Sequence, residues 1–102
     1  MDVLALTDHD ETVGIADARE AARAAGIALV PGAELSVTWE THTVHVLGLQ
    51  VDIANADLAA GLAAIRSGRD ARAMKMGESL ARAGIPGAYD GARRFVTSDR
   101  LI

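Results

Sequence analysis

The sequence contains no cysteine and few aromatic residues, and these absences limit what the chain can be. Without cysteine there is no disulfide bond and no thiolate ligand for a metal ion, a composition that favours a cytoplasmic protein. The only aromatic residues are Trp39, Tyr89 and Phe95, so a core has to be built from Ala, Val, Leu and Ile, which bury less area per side chain. No apolar run reaches the roughly 20 residues that a membrane-spanning helix needs, so we expect no membrane partner.

The charge is distributed unevenly along a chain of globular composition. Half of the 102 residues are hydrophobic and 24% are charged. Residues 1–60 carry ten carboxylates and two arginines, a net charge of −8, whereas residues 61–102 carry a net charge of +4. An acidic half suits cations and a basic half suits phosphates, but both are also typical of an ordinary solvated surface.

Apolar runs and turn residues in the first half predict two strands joined by a helix. Residues 3–7 predict a buried strand, and residues 13–25 a helix that Asp10 or Thr12 caps and that Gly26 ends. A second buried strand is expected at 27–30. We expect Pro31 and Gly32 to terminate it.

The following segments predict a hairpin and then helix. Residues 34–39 and 43–49 alternate as strands around a turn at 40–42. The stretch 55–83 has helical spacing and predicts one long helix or two shorter ones, and 88–102 predicts a short helix or a loop. The order β-α-β-β-α is an α/β pattern.

Three titratable residues follow or occupy the predicted strands. His9 lies in the polar run Thr7–Asp10 directly after the first strand, Glu34 follows the second, and His45 lies within the third. Each has an ordinary explanation: His9 as part of a helix-capping loop, Glu34 as an exposed residue, and His45 as a hydrogen-bonded or surface histidine. His42 in the turn is expected to be simply exposed. Strand ends are nevertheless where α/β proteins place their sites.

Together, His9, Glu34 and His45 supply two imidazoles and a carboxylate, a ligand set that suits Mn²⁺, Fe²⁺ or Zn²⁺. Such a metal lowers the pKa of a bound water and can hold a phosphoryl oxygen, and Glu34 is a candidate to bridge two ions. A separate basic stripe recurs every three residues on the long helix, at Arg66, Arg69, Arg72 and Lys75. It is either a solvated helix surface or a track for phosphates.

The motifs resemble those of the PHP (polymerase and histidinol phosphatase) family of metal-dependent phosphoesterases. The resemblance rests on three segments in order, Leu4–Asp10 with Gly14, Val30–Ser36 and Val44–Leu49. The segments Ile85-Pro86-Gly87-Ala88 and Gly91-Ala92-Arg93-Arg94 further resemble one subgroup, which acts on nucleoside 3′,5′-bisphosphates and RNA oligonucleotides.

This resemblance implies a fold and a metal centre. Residues 1–53 would form part of a distorted (β/α)₇ barrel, and residues 54–102 would begin an inserted helical cap domain. The barrel would hold two or three divalent metal ions, most often Mn²⁺, with Fe²⁺ or Zn²⁺ as alternatives. His9 would be a metal ligand, His45 a ligand to a second or third metal, Glu34 the bridging carboxylate, and Asp8 a residue that orients a ligand or its loop. No residue is assigned to substrate.

The resemblance also implies a reaction and a longer protein. A metal-bound hydroxide would hydrolyse phosphomonoesters or terminal phosphodiesters of nucleotides or short oligonucleotides, with no stable duplex as partner. The family's His-x-His, His-Pro and Asp-x-His segments are absent. The chain is therefore expected to be an internal fragment, inactive alone and prone to self-association through open strand edges. The alternatives are a non-catalytic PHP-type binding module and a small α/β interaction protein.

Overall fold

The computed structural model describes residues 2–96, and the chain divides into two compact units, Met1–Ala63 and Ala64–Ile102. The elements follow the predicted order, and the segment predicted as a short helix or a loop begins with a helix. They are β1 (Val3–Leu6), α1 (Ile15–Ala25), β2 (Ala28–Trp39), β3 (His42–Leu49), α2 (Ala56–Arg82) and α3 (Ala88–Arg93). The predicted α/β class is therefore confirmed. The domain boundary between residues 53 and 54 stays a prediction. Of the predicted C-terminal segment 88–102, residues 97–102 lie outside the described residues.

The first unit is built on a three-stranded sheet in the order β1-β2-β3. β1 and β2 are parallel, which requires a crossover, and α1 supplies it and packs against β2. β2 and β3 are antiparallel and form the predicted hairpin, in which Trp39 pairs with His42. Glu40 at the tip has a φ of 53°, the left-handed conformation that a tight turn requires.

The expectation that Pro31 and Gly32 end the second strand is wrong, because β2 runs without interruption through both. Pro31 is the last β2 residue that pairs with β1, opposite Leu6, and Gly32 is the first that pairs with β3, opposite Leu49. A Cβ on Gly32 would lie 2.7 Å from the Gly48 carbonyl oxygen. Because Gly32 has no side chain, the backbones of β2 and β3 can approach each other closely at this point. Gly32 therefore lies within a strand and does not mark a turn.

Helix α1 ends as predicted but begins differently. Gly26 has a φ of 68° and closes the helix with N–H bonds to the carbonyls of Ala22 and Arg23. At the other end the cap position is Gly14, which makes no side-chain hydrogen bond. Neither Asp10 nor Thr12 caps the helix with its side chain, because the Asp10 carboxylate is engaged elsewhere and Thr12 accepts the Ile15 N–H through its backbone oxygen.

The burial of the first unit is sparse. The buried apolar side chains among residues 2–96 are Ile15, Ala22, Ala33 and Leu62. β1 was expected to be buried, but Val3 is 59% and Leu4 44% exposed, because β1 has β2 as its only strand neighbour in the described sheet. An apolar cavity of about 250 Å³ opens beside this strand and is lined by Leu4, Leu6, Ala18, Ala21, Ala22, Ala25, Ile27 and Leu29.

Helix α2 is one continuous helix of 27 residues, although Gly68 and Gly77 lie within it. At its start the Asn55 carboxamide oxygen accepts the Leu58 N–H, as an N-cap residue does. None of the described helices combines the length and the apolar composition that a bilayer-spanning segment needs.

In the second unit, α3 packs on α2 around Tyr89. A Cβ on Gly77 would lie 2.7 Å from the Tyr89 Cβ, so glycine permits this close approach. The Tyr89 hydroxyl donates to Asp70 at 2.7 Å, and Arg93 stands 3.4 Å from the same oxygen. The hydrogen bond to Asp70 is the main reason that the pKa of Tyr89 is raised above its ordinary value.

Candidate metal centre

Two backbone-to-backbone hydrogen bonds, both made by Glu34, join the loop after β1 to β2. The Glu34 N–H donates to the Asp8 carbonyl at 3.0 Å, and the Asp10 N–H donates to the Glu34 carbonyl at 2.8 Å. These two bonds form an isolated parallel bridge between His9 and Glu34. The chain turns away at Asp10, whose φ of 54° is a left-handed conformation that aspartate adopts more readily than most residues. His9 is thereby fixed beside Glu34.

The hairpin register brings His45 to the same place. Ser36 and His45 are directly opposite each other, and side chains of opposed residues lie on the same face of a sheet. Glu34 is two residues before Ser36 in β2, so it shares that face. The strand period and the hairpin register together place Glu34 and His45 as diagonal neighbours.

The three side chains converge on one point. The His9 Nε2 and the His45 Nδ1 each lie 3.5 Å from the Glu34 Oε1, and one donor atom from each residue lies within 4.8 Å of the others. His9 and His45 are about half exposed, and Glu34 is 30% exposed. The structure thus brings together all three residues that the sequence suggested as metal ligands.

Asp8 and His42 lie outside this cluster. Asp8 contributes its backbone carbonyl to the bridge, while its Oδ2 lies 3.3 Å from the position that a Cβ on Gly14 would occupy. His42 is exposed at the start of β3, and its Nδ1 lies 3.4 Å from the Thr41 hydroxyl. The role of Asp8 as a residue that orients a ligand stays a prediction, and the expectation that His42 is exposed is confirmed.

Asp10 and Ser36 are the site residues that the sequence reasoning missed. Asp10 is fully buried and accepts two hydrogen bonds from Ser36, at 2.7 Å from its N–H and at 3.0 Å from its hydroxyl. The Ser36 Oγ also lies 3.1 Å from the His9 Nδ1. The strand period was a usable signal for Ser36, since it shares a face with Glu34. Nothing in the sequence shows which of the neighbouring carboxylates of Asp8, Asp10 and Glu11 is buried.

Comparisons with known proteins find relatives along nearly the whole chain. It is 52% identical over 100 residues to a 3′,5′-nucleoside bisphosphate phosphatase of Chromobacterium violaceum, which covers 98% of this chain and 35% of the relative. It is 45% identical over 94 residues to the 5′-3′ exoribonuclease Rnm of Escherichia coli, covering 90% of this chain and 32% of that protein. No protein-family model matches the chain. The chain therefore spans about a third of the length of the curated relatives that it matches.

Two solved structures share the fold. An amidohydrolase from Chromobacterium violaceum, with bound sulfate and no metal, superimposes with a TM-score of 0.86 at 53% identity, over 94% of this chain and 34% of that one. A protein from Bifidobacterium adolescentis, assigned as a metal-dependent phosphoesterase, matches with a TM-score of 0.72 at 33% identity, over 80% of this chain and 29% of the other. These matches confirm the resemblance and the partial barrel that the motifs implied. With the His and Glu cluster, they also support the use of a divalent metal.

Proposed function

We propose that this protein hydrolyses phosphate esters of nucleotides at a divalent metal centre. The proposal draws on the similarity of the chain to metal-dependent phosphoesterases over about a third of their length. The observation that carries the proposal is the convergence of His9, Glu34 and His45 from three successive segments of the first unit. The expected substrates are a nucleoside 3′,5′-bisphosphate or a short oligonucleotide, by likeness to the names of the relatives. No stable partnership with duplex nucleic acid is expected.

The donor set fits a divalent ion of the transition series. Two imidazole nitrogens and a carboxylate oxygen suit Mn²⁺, Fe²⁺ or Zn²⁺, of which we favour Mn²⁺. Two ligands of one ion at about 2.1 Å from it stand roughly 3 to 3.5 Å apart, and Glu34 lies 3.5 Å from each histidine nitrogen. When bound, such a metal supplies positive charge for a phosphoryl oxygen and lowers the pKa of a water.

The protein's own residues hold and place the ion. Glu34 stands between the two histidines and has a second oxygen, which suits it to bridge two ions. A centre of two or three ions requires more donors than His9, Glu34 and His45 offer. We therefore expect the 102-residue chain by itself to bind metal weakly and to turn over no substrate. Because β1 has an open edge in the described sheet, we also expect the chain to self-associate.

Three further proposals accompany this function. Residues 54–102 begin a helical cap domain, in keeping with the helices α2 and α3. The arginines and the lysine of the basic stripe on α2 remain either a solvated surface or a track for phosphates. The cytoplasmic location rests on the cysteine-free composition.

The direct test is a segment exchange with the Chromobacterium phosphatase, which this chain matches at 52% identity. The matching third of that enzyme is replaced by residues 1–102, and phosphate release from a nucleoside 3′,5′-bisphosphate is measured with and without Mn²⁺. We expect metal-dependent turnover that Glu34→Gln abolishes and that Glu40→Gln, at the hairpin tip, leaves intact. A chimera that folds, binds Mn²⁺ and releases no phosphate would instead identify a non-catalytic binding module.

A further inference from the structure

A buried carboxylate, a hydroxyl and an imidazole form a short chain of polar contacts, here called the relay, beside the candidate metal ligands. The Asp10 carboxylate is fully buried, and both of its oxygens accept from Ser36. The Ser36 Oγ in turn lies 3.1 Å from the His9 Nδ1. The relay therefore ends on the ring nitrogen of His9 that faces away from Glu34.

The protons along this relay can be assigned by counting donors. Serine has a single hydroxyl proton, and a carboxylate offers only acceptors. The Ser36 hydroxyl donates that proton to Asp10, so its oxygen is left to accept a hydrogen bond. The group that can donate to it is an N–H at the Nδ1 of His9. The Asp10 Oδ2 lies 3.6 Å from the same nitrogen, so a second acceptor oxygen stands near this N–H.

We propose that Asp10 and Ser36 act as positioning residues that hold neutral His9 in the tautomer with its proton on Nδ1. The lone pair is then on Nε2, the nitrogen that lies 3.5 Å from Glu34. His45 faces the same oxygen through its Nδ1, so the two histidines would offer different ring nitrogens to the metal centre. The inference rests on the proposed metal centre, because a neutral imidazole binds a metal only through its unprotonated nitrogen.

The tautomer of His9 can be measured directly in the metal-free chain. Long-range ¹H–¹⁵N NMR of the histidine rings, recorded at about pH 8 where an ordinary histidine is neutral, reports which nitrogen carries the proton. We expect His9 to carry it on Nδ1. A wild-type spectrum with the His9 proton on Nε2 would overturn the proposal, whatever the variants do.

Variants of β2 distinguish the loss of the Ser36 hydroxyl from a general disruption of the fold. Ser36→Ala is expected to shift the His9 proton towards Nε2 and to lower Zn²⁺ affinity about 10- to 100-fold, whereas Ser36→Thr, which keeps the hydroxyl, preserves both values. Thr38→Ala removes a hydroxyl from the next position on the same face of β2 and is expected to change neither. An unchanged His9 tautomer in a folded Ser36→Ala chain would contradict the proposal. Because no substrate is present, a failure of the proposed enzymatic activity leaves this result unaffected.

Discussion

The imidazole rings of His9 and His45 meet edge to face, with their centroids 4.7 Å apart and their planes at 89°. The two residues are 36 positions apart in the chain, and one comes from a loop while the other comes from a strand. The loop is fixed by the two backbone bonds to Glu34, and the strand is fixed by the hairpin register. The separation of the rings is therefore set by the sheet, and the Glu34 carboxylate reaches a nitrogen of each.

The charge of Glu34 is expected to be essential for metal binding. Glu34→Gln keeps the shape of the side chain but removes the negative charge between the two imidazoles. Since loss of a supporting residue alone costs about 10- to 100-fold in metal affinity, we expect at least a tenfold loss for this central ligand. Titration calorimetry with Mn²⁺ or Zn²⁺ measures it, with Glu40→Gln as the matched control. Equal affinities in the two variants would exclude Glu34 as a ligand.

Tyr89 is expected to titrate above its ordinary pKa of 10.0, chiefly because its hydroxyl donates to Asp70. As the raised pKa belongs to the folded state, the stabilisation is fully present below the unfolded pKa and is lost as the pH rises through the folded value. Tyr89 is the only tyrosine, so tyrosinate absorbance reports it alone. We expect Asp70→Ala to lower the midpoint more than Asp90→Ala does. The reverse order would show that the hydrogen bond is not the main cause.

The glycine at position 32 is expected to be required for stability. A Cβ there would lie 2.7 Å from the Gly48 carbonyl oxygen and 2.8 Å from the Thr7 Cγ2. Because the first of these atoms belongs to a backbone, Gly32→Ala is expected to lower the free energy of unfolding by roughly 1–3 kcal/mol in a denaturant titration.

Gly61→Ala is the control for this substitution, since nothing lies within 4 Å of a Cβ added at that position of α2. It is expected to raise the free energy of unfolding by roughly 0.5–1 kcal/mol, because alanine favours the helix. If the two variants proved equally stable, the account of the close approach at Gly32 would be wrong.

The exposed side of β1 is expected to drive self-association. Leu4 is 44% exposed and lines the apolar cavity beside α1, and β1 has a free edge in the described sheet. Sedimentation at increasing protein concentration is expected to show oligomers that Leu4→Lys reduces. Val13→Lys, which changes an exposed residue outside this cavity, is expected to have no effect. A chain that stays monomeric at high concentration would refute this expectation.

Local patterns predicted the elements of the fold but not how they are joined. The αL residue Gly26, the helical spacing of 55–83 and the alternation of 34–39 each act within a few residues, and each was interpreted correctly. The expectation that Pro31 and Gly32 end the strand is wrong because their role is set by distant partners. They stand where β2 changes from pairing with β1 to pairing with β3, and that change is invisible to a local pattern.

The candidate site was likewise predictable only where local sequence features were sufficient. His9, Glu34 and His45 could be suggested from their residue types and their positions relative to predicted strands. Asp10 could not, because its burial depends on Ser36, which is 26 residues away. A buried carboxylate is stable only with such partners, and the partners are known only once the register between the loop and β2 is known.

The central claim is that His9, Glu34 and His45 form one metal centre, and the ring ¹⁵N resonances of the three histidines test it most directly. Zn²⁺ is the suitable probe because it binds nitrogen and oxygen sites more tightly than Mn²⁺ does. On titration, the signals of His9 and His45 are expected to shift together at the Nε2 and the Nδ1 respectively, while His42 is unchanged. If His9 and His45 responded to Zn²⁺ no more than His42 does, the claim of a shared metal centre would be contradicted.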